Sequence, residues 1–159
     1  MSSTAQNRGP IRLAFQSRLK AVLTTAGVVV PGTAKLAALW NGLPLDIPAL
    51  QKAAKDNSVP GRYVRLAMGW GPDLVIEMGP TPRVEGGGHA EFGIFTETGT
   101  GHQVNDALCK IVADGFPLYA DLVRDGLNVR IDTSSAGEIV AVNGWDYCPL
   151  QVNWNVWRV

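Results

Sequence analysis

Cysteine is nearly absent from this sequence: Cys109 and Cys148 are the two in 159 residues. They are too few for a disulfide framework, and no CxxC spacing offers a zinc site. Histidine is as scarce. His89 and His102 flank an expected strand at 91–97, whose ends lie roughly 20–25 Å apart, so the two cannot share a metal within one subunit. No apolar run approaches the roughly 18 residues of a membrane span, and the opening MSSTAQNRGP lacks an apolar signal core. The expectation is therefore no membrane contact, assembly in the cytoplasm and two reduced thiols. Neither sign of charge dominates, because 14 basic residues balance 14 acidic ones. That balance argues against a dedicated nucleic-acid binder. No serine sits in a GxSxG elbow, and the scattered acids form no carboxylate pair on a recognisable scaffold. The reading is not an enzyme, with no catalytic residue, metal or cofactor.

What is present is enough apolar surface for one domain. The chain is 46% hydrophobic, which offsets the entropy of ordering about 150 residues. Its 18 glycines and 10 prolines exclude a coiled coil. Residues 1–9 are small and polar and read as a flexible N-terminal arm; residues 10–159 read as a single α+β domain. Ile11, Phe15, Leu19, Val22, Leu23 and Ala26 recur at helical spacing over 10–26, with Pro10 in the first turn and Gly27 as the stop. A second stripe, Val104, Ala107, Leu108, Ile111 and Val112, predicts a helix over 103–115. Between them, 28–33 reads as extended, Trp40 as the centre of a short strand or turn, and 44–60 as a long excursion with one helical turn at 48–55. Period-2 runs predict strands at 62–68, 74–78, 91–97, 127–131, 137–142 and 150–159. The link 79–90, with Gly86, Gly87 and Gly88 in a row, reads as a loop that stays flexible until a neighbour orders it. FPLYADLVRDG reads as an added helical turn, and Cys148–Pro149 as a turn. The expected architecture is a mostly antiparallel mixed sheet covered on one face by two amphipathic helices.

TGTGH (98–102) lies between a strand and a helix, where phosphate-binding loops sit. A P-loop needs Lys followed by Ser or Thr there, and this chain has His102 and Gln103. The plain reading is a glycine-rich turn; the competing one is a small nucleotide-binding or hydrolytic enzyme using this loop. Trp157 falls on the amide-bearing face of the last strand, beside Asn153 and Asn155, where an aromatic can anchor an interface.

The succession of segments carries a resemblance. An N-terminal helix leads to ALWNGLP, then RYVRLAMGWG, then EFGIFTETGTG. A helix ending IVADGFP, a GLNVRI strand and a GWDYCPLQVNWNV finish follow. Over residues 10–157 this order resembles the tail-terminator-like proteins of long-tailed bacteriophages and prophages, with 44–60 longer than expected for that family. The resemblance implies a structural virion protein of the tail, at the head–tail junction. It implies a hexameric ring of identical subunits that caps the tail tube and joins it to the head. The partners implied are the chain itself, the tail tube protein, the head–tail connector and neck proteins, and genomic DNA that passes through without sequence-specific binding. Another head–tail connector or tail-completion ring subunit is the neighbouring alternative. The candidate subunit or tube contacts are Arg83, Glu85, Gly86, Gly87 and Gly88 in the glycine-rich link, Thr98, Gly99 and Thr100 in the following loop, and Trp157.

Overall fold

The computed structural model describes residues 7–27, 38–40, 47–56, 58, 60–72, 74–77 and 83–158. The expected extended run at 28–33 lies outside them, as do residues 1–6 of the expected arm. In chain order the elements are α1 (Arg8–Thr25), β1 (Ala38–Trp40), α2 (Ile47–Asp56), β2 (Arg62–Trp70), β3 (Leu74–Glu77) and β4 (Arg83–Glu97). Then follow α3 (His102–Gly115), β5 (Asp121–Arg124), β6 (Leu127–Ala136), β7 (Val140–Val142) and β8 (Trp145–Arg158). The fold is α+β. Its sheet runs β1-β2-β4-β8-β6-β5, with β3 on β4 and β7 on β8. Every pairing is antiparallel except β1 with β2.

Alternation along the strands builds the core. Val64 and Leu66 of β2, Phe92 and Ile94 of β4, Val129 and Ile131 of β6, and Leu150, Val152 and Trp154 of β8 join one buried cluster. The stripes of α1 (Ile11, Phe15, Leu19, Leu23) and α3 (Leu108, Val112) enter the same cluster. Phe15 stacks on Phe116 at 5.6 Å, and Phe116 tilts onto Phe92 at 4.7 Å. Asn105 fixes the start of α3. Fully buried, it donates through Nδ2 toward the Ile94 carbonyl, Thr96 Oγ1 and the Asp146 carbonyl, at 3.0 to 3.3 Å.

A second cluster uses the alternate residues of the same strands. Tyr63 stacks on Phe95 at 4.5 Å, Trp145 meets Tyr63 edge-on at 5.0 Å, and Leu50 of α2 packs with them. The single turn expected at 48–55 is thus a ten-residue helix. Its apolar Ile47, Leu50 and Ala54 share one face, and Pro48 sits in the first turn, where a missing N–H is harmless. The chain therefore has three helices among the described residues, not two.

Four other expectations are corrected. The helix expected to begin at Pro10 starts at Arg8, so positions 8 and 9 belong to it and not to an arm. The glycine-rich link is strand: β4 runs unbroken from Arg83, and Gly86–Gly88 pair with Val156, Asn155 and Trp154 of β8. FPLYADLVRDG supplies a turn and then β5, because Asp125 and Gly126 both take positive φ and close a hairpin onto β6. Asn143 and Gly144 do the same between β7 and β8. Cys148–Pro149 lies inside β8. The proline is tolerated there because it sits where the partner strand changes, between the last β6 pair, Ala136–Leu150, and the first β7 pair, Val140–Tyr147.

Candidate functional site

The residues expected to form contacts do not gather in one place. Arg83 and Glu85 lie on β4 opposite Glu77 and Leu74 of β3, and their side chains fall outside the described set. Gly86, Gly87 and Gly88 all pair with β8, and Gly87 and Gly88 serve close packing: a Cβ on Gly88 would meet the Gly69 carbonyl at 2.2 Å and the Trp154 ring at 2.7 Å. They present no loop to a partner. Trp157 stands opposite Asn128 on β6, and its side chain is outside the described residues.

Thr98, Gly99 and Thr100 do form an exposed turn at the end of β4. Thr98 N–H donates to the Gly144 carbonyl at 3.0 Å, and Thr100 Oγ1 donates to the Glu97 carbonyl at 2.7 Å. Gly99 and Gly101 hold positive φ, and His102, exposed, opens α3. The threonine hydroxyl is thus spent on the turn itself. Among the described residues no group of three or more His, Cys, Asp or Glu side chains could hold a metal, and no helix is long and apolar enough to cross a membrane.

Cys109 of α3 and Cys148 of β8 lie near enough to influence each other's titration, and Cys148 Sγ donates to the Gly137 carbonyl at 3.3 Å. Burial first, then the neighbouring thiol and Asp106, push the Cys109 pKa up to about 11. The neutral thiol is the form that nucleophiles and metal ligands must lose, so this pair is chemically quiet near pH 7. Because the folded pKa lies above the free-thiol value, the stability it contributes is complete below about pH 9 and drains away as pH rises through 11. Iodoacetamide should label Cys109 in the folded chain very slowly at pH 8, with the rate rising about tenfold per pH unit up to about pH 11. A rate that levels off near pH 9 would contradict the burial assigned to it.

The uncovered part of the sheet is polar and ordered. Gln151 donates to Asn153 at 3.1 Å, Asn153 donates to Thr133 at 2.7 Å, and Asn155 donates to Asp132, the residue at the β6 bulge. Further out, Arg130 grips Asp121 with two bonds, which lowers the Asp121 pKa.

The most exposed large apolar side chains stand in and just before β5, ahead of Leu13 on α1 and Val140 and Val142 on β7. Leu118, Tyr119 and Val123 are 52%, 74% and 66% exposed. Tyr119 holds φ at +63°, a left-handed conformation that a bulky side chain adopts only under constraint. The constraint is visible. Tyr119 N–H donates to the Ile131 carbonyl at 2.8 Å, and Ile131 N–H donates to the Ala120 carbonyl at 3.0 Å. The fold thus holds an aromatic ring in water under strain, at the end of the sheet where, among the described residues, β5 pairs with β6 alone. Reading FPLYADLVRDG as helix hid this edge. The Asp-Gly pair at 125–126, a strong hairpin signal, could have revealed it.

No family model and no curated protein matches the chain. The chain is similar to a solved structure, with a TM-score of 0.68 over 96% of this chain and 96% of that one, at 20% identity. At that identity the likeness defines the class of fold, an α+β domain matched along nearly its whole length, and leaves function to the surfaces.

Proposed function

We propose that this chain is a structural subunit of a tail-terminator-like ring, in which copies assemble at the end of a phage tail tube, receive the head–neck proteins and leave a passage for DNA. In this reading α1 and α3 lie over one face of the sheet as a rigid backing, and the chemistry of the subunit is contact, not catalysis. The observation that carries it is Tyr119, exposed and strained between Leu118 and Val123 on an open sheet edge. Solitary apolar residues at a surface need no explanation, but three within one short edge segment mark an interaction surface. An open edge left bare would also invite uncontrolled pairing, so an assembly partner is its natural cover. The succession of segments along 10–157 supplies the kind of assembly.

The test is a Tyr119→Asn, Val123→Lys double variant. Asparagine tolerates left-handed φ and both sites are exposed, so the melting temperature should change by no more than about 2 °C. Joining of heads to tails should fall by about 30-fold or more, the loss expected when an aromatic anchor is removed from an interface. Normal joining by this variant would remove the edge from the assembly.

A further inference from the structure

Charge balances over the chain as a whole but not along it. Five of the 14 basic residues precede the first acid, Asp46. Four of them, Arg8, Arg12, Arg18 and Lys20, lie on α1, which bears no Asp or Glu. Such asymmetry within a neutral chain marks the part that meets a polyanion. Arg18 is engaged in the fold, because its Nε donates to the Gly115 carbonyl at 2.9 Å. Arg8, Arg12 and Lys20 are exposed and enter no ion pair among the described residues.

Helix geometry lines them up. Arg8, Arg12, Gln16 and Lys20 are four positions apart, so they form one row along the flank of the buried stripe of α1. Each step is roughly 6 Å of helix and the row roughly 18 Å. Its first two members are held in place. Both guanidinium groups lie over the Trp70 ring, at 5.2 and 5.8 Å, and Trp70 packs edge-on against the fully buried Trp154 at 5.7 Å. The ring positions the two cations without neutralising them. In the free chain this arrangement is a local cost. Arg8 opens the helix, where the dipole disfavours a cation, and like charges one turn apart repel. An anion lying along the row relieves both.

We propose that the row Arg8, Arg12, Gln16 and Lys20 is the surface by which this chain meets duplex DNA, through the phosphates of one strand. The inference deepens the ring reading above and rests on it for the choice of DNA as the polyanion. One strand of B-DNA carries a phosphate about every 3.4 Å of axis, so a row of this length faces about five of them. Arg, Lys and Gln are phosphate donors, and contacts of that kind read no sequence. No carboxylate interrupts the row, so its charge matches a uniform polyanion along its whole length. Three cations per copy hold DNA weakly at physiological salt, which suits a passage through which DNA slides.

Fluorescence anisotropy of a labelled duplex titrated with the full chain tests it, from about 20 mM salt upward. Binding should weaken as salt rises, with a log–log slope of about −2.7 per chain for three phosphate contacts. The R8Q/R12Q variant should bind about tenfold more weakly at the lowest salt and lose about two units of slope, whatever the duplex sequence. K110Q should bind as the unmodified chain does, because Lys110 is exposed on α3 and paired with Asp114. If R8Q/R12Q fails a circular-dichroism check of its fold, K20Q, at the other end of the row, should still lose about one unit of slope. No binding at about 20 mM salt, or a slope that folded R8Q/R12Q or K20Q leaves unchanged, would overturn the inference. So would tighter binding to polyglutamate or to phosphatidylglycerol vesicles than to the duplex, which would make the row a seat for an acidic protein or a lipid surface. Each of these outcomes leaves the ring reading standing, because symmetry in the assembled particle decides that separately.

Discussion

Replacing Gly88 with alanine is expected to destabilise the fold by about 3 kcal/mol and to lower its thermal midpoint by roughly 6–12 °C. The new Cβ would stand 2.2 Å from the Gly69 carbonyl oxygen and 2.7 Å from the Trp154 ring. The first is backbone of a paired strand, and the second is a fully buried ring wedged against Phe15 and Trp70, so neither can yield without moving its neighbours. This outcome differs from the one that the sequence alone suggests, a folded monomer with impaired assembly. Thermal unfolding followed by circular dichroism separates the two. A midpoint unchanged by Gly88→Ala would restore the glycines to a surface role.

Phe15→Ala is expected to cost about 4 kcal/mol and to lower the midpoint by roughly 8–16 °C. Phe15 is fully buried, stacked on Phe116 and set 6.1 Å from the Trp154 ring. It is the point at which α1 meets both the end of α3 and the sheet. Its removal leaves a cavity walled by aromatic rings, which relax little around a void. Chemical unfolding should show the loss as a lower denaturant midpoint at unchanged slope. A loss under about 1 kcal/mol would mean that α1 is an appendage and not part of the core.

The parts of the fold legible in the sequence are those written in local periodicity. The apolar stripes of α1 and α3 announce their own faces, and the strict alternation from Gln151 to Val156 announces β8. What stayed hidden depends on contacts between distant parts of the chain. Three consecutive glycines look like backbone freedom, yet Gly87 and Gly88 make room for Trp154, Asn155 and the Gly69 carbonyl, and nothing near position 88 in the chain records that crowding. The aromatic cluster under α2 is hidden for the same reason: Tyr63, Phe95 and Trp145 meet across three strands, and Leu50 joins them from a segment broken by prolines. Asn105 reads as an ordinary polar residue of a helix start until its three acceptors from two strands are seen. The candidate site suffered most. Two glycine-rich stretches look like contact loops, and only 98–101 is a turn, while the exposed edge at 118–123 has the look of helix. The Asp-Gly and Asn-Gly hairpin pairs were the local signals that mark this part of the sheet.

In the ring proposed above, copies of this subunit close around a passage wide enough for DNA. A 159-residue domain has a radius of gyration of about 15 Å, equivalent to a sphere roughly 39 Å across. Six such spheres enclose a hole about one sphere wide, whereas four leave roughly 16 Å, less than the approximately 20 Å width of duplex DNA. The decisive measurement is the symmetry of this protein's density at the head–tail junction of assembled particles, imaged by electron cryomicroscopy without imposed symmetry. The account predicts six copies around an open channel on the tail axis. Four copies, or a single copy bound to one side of the tail, would contradict it.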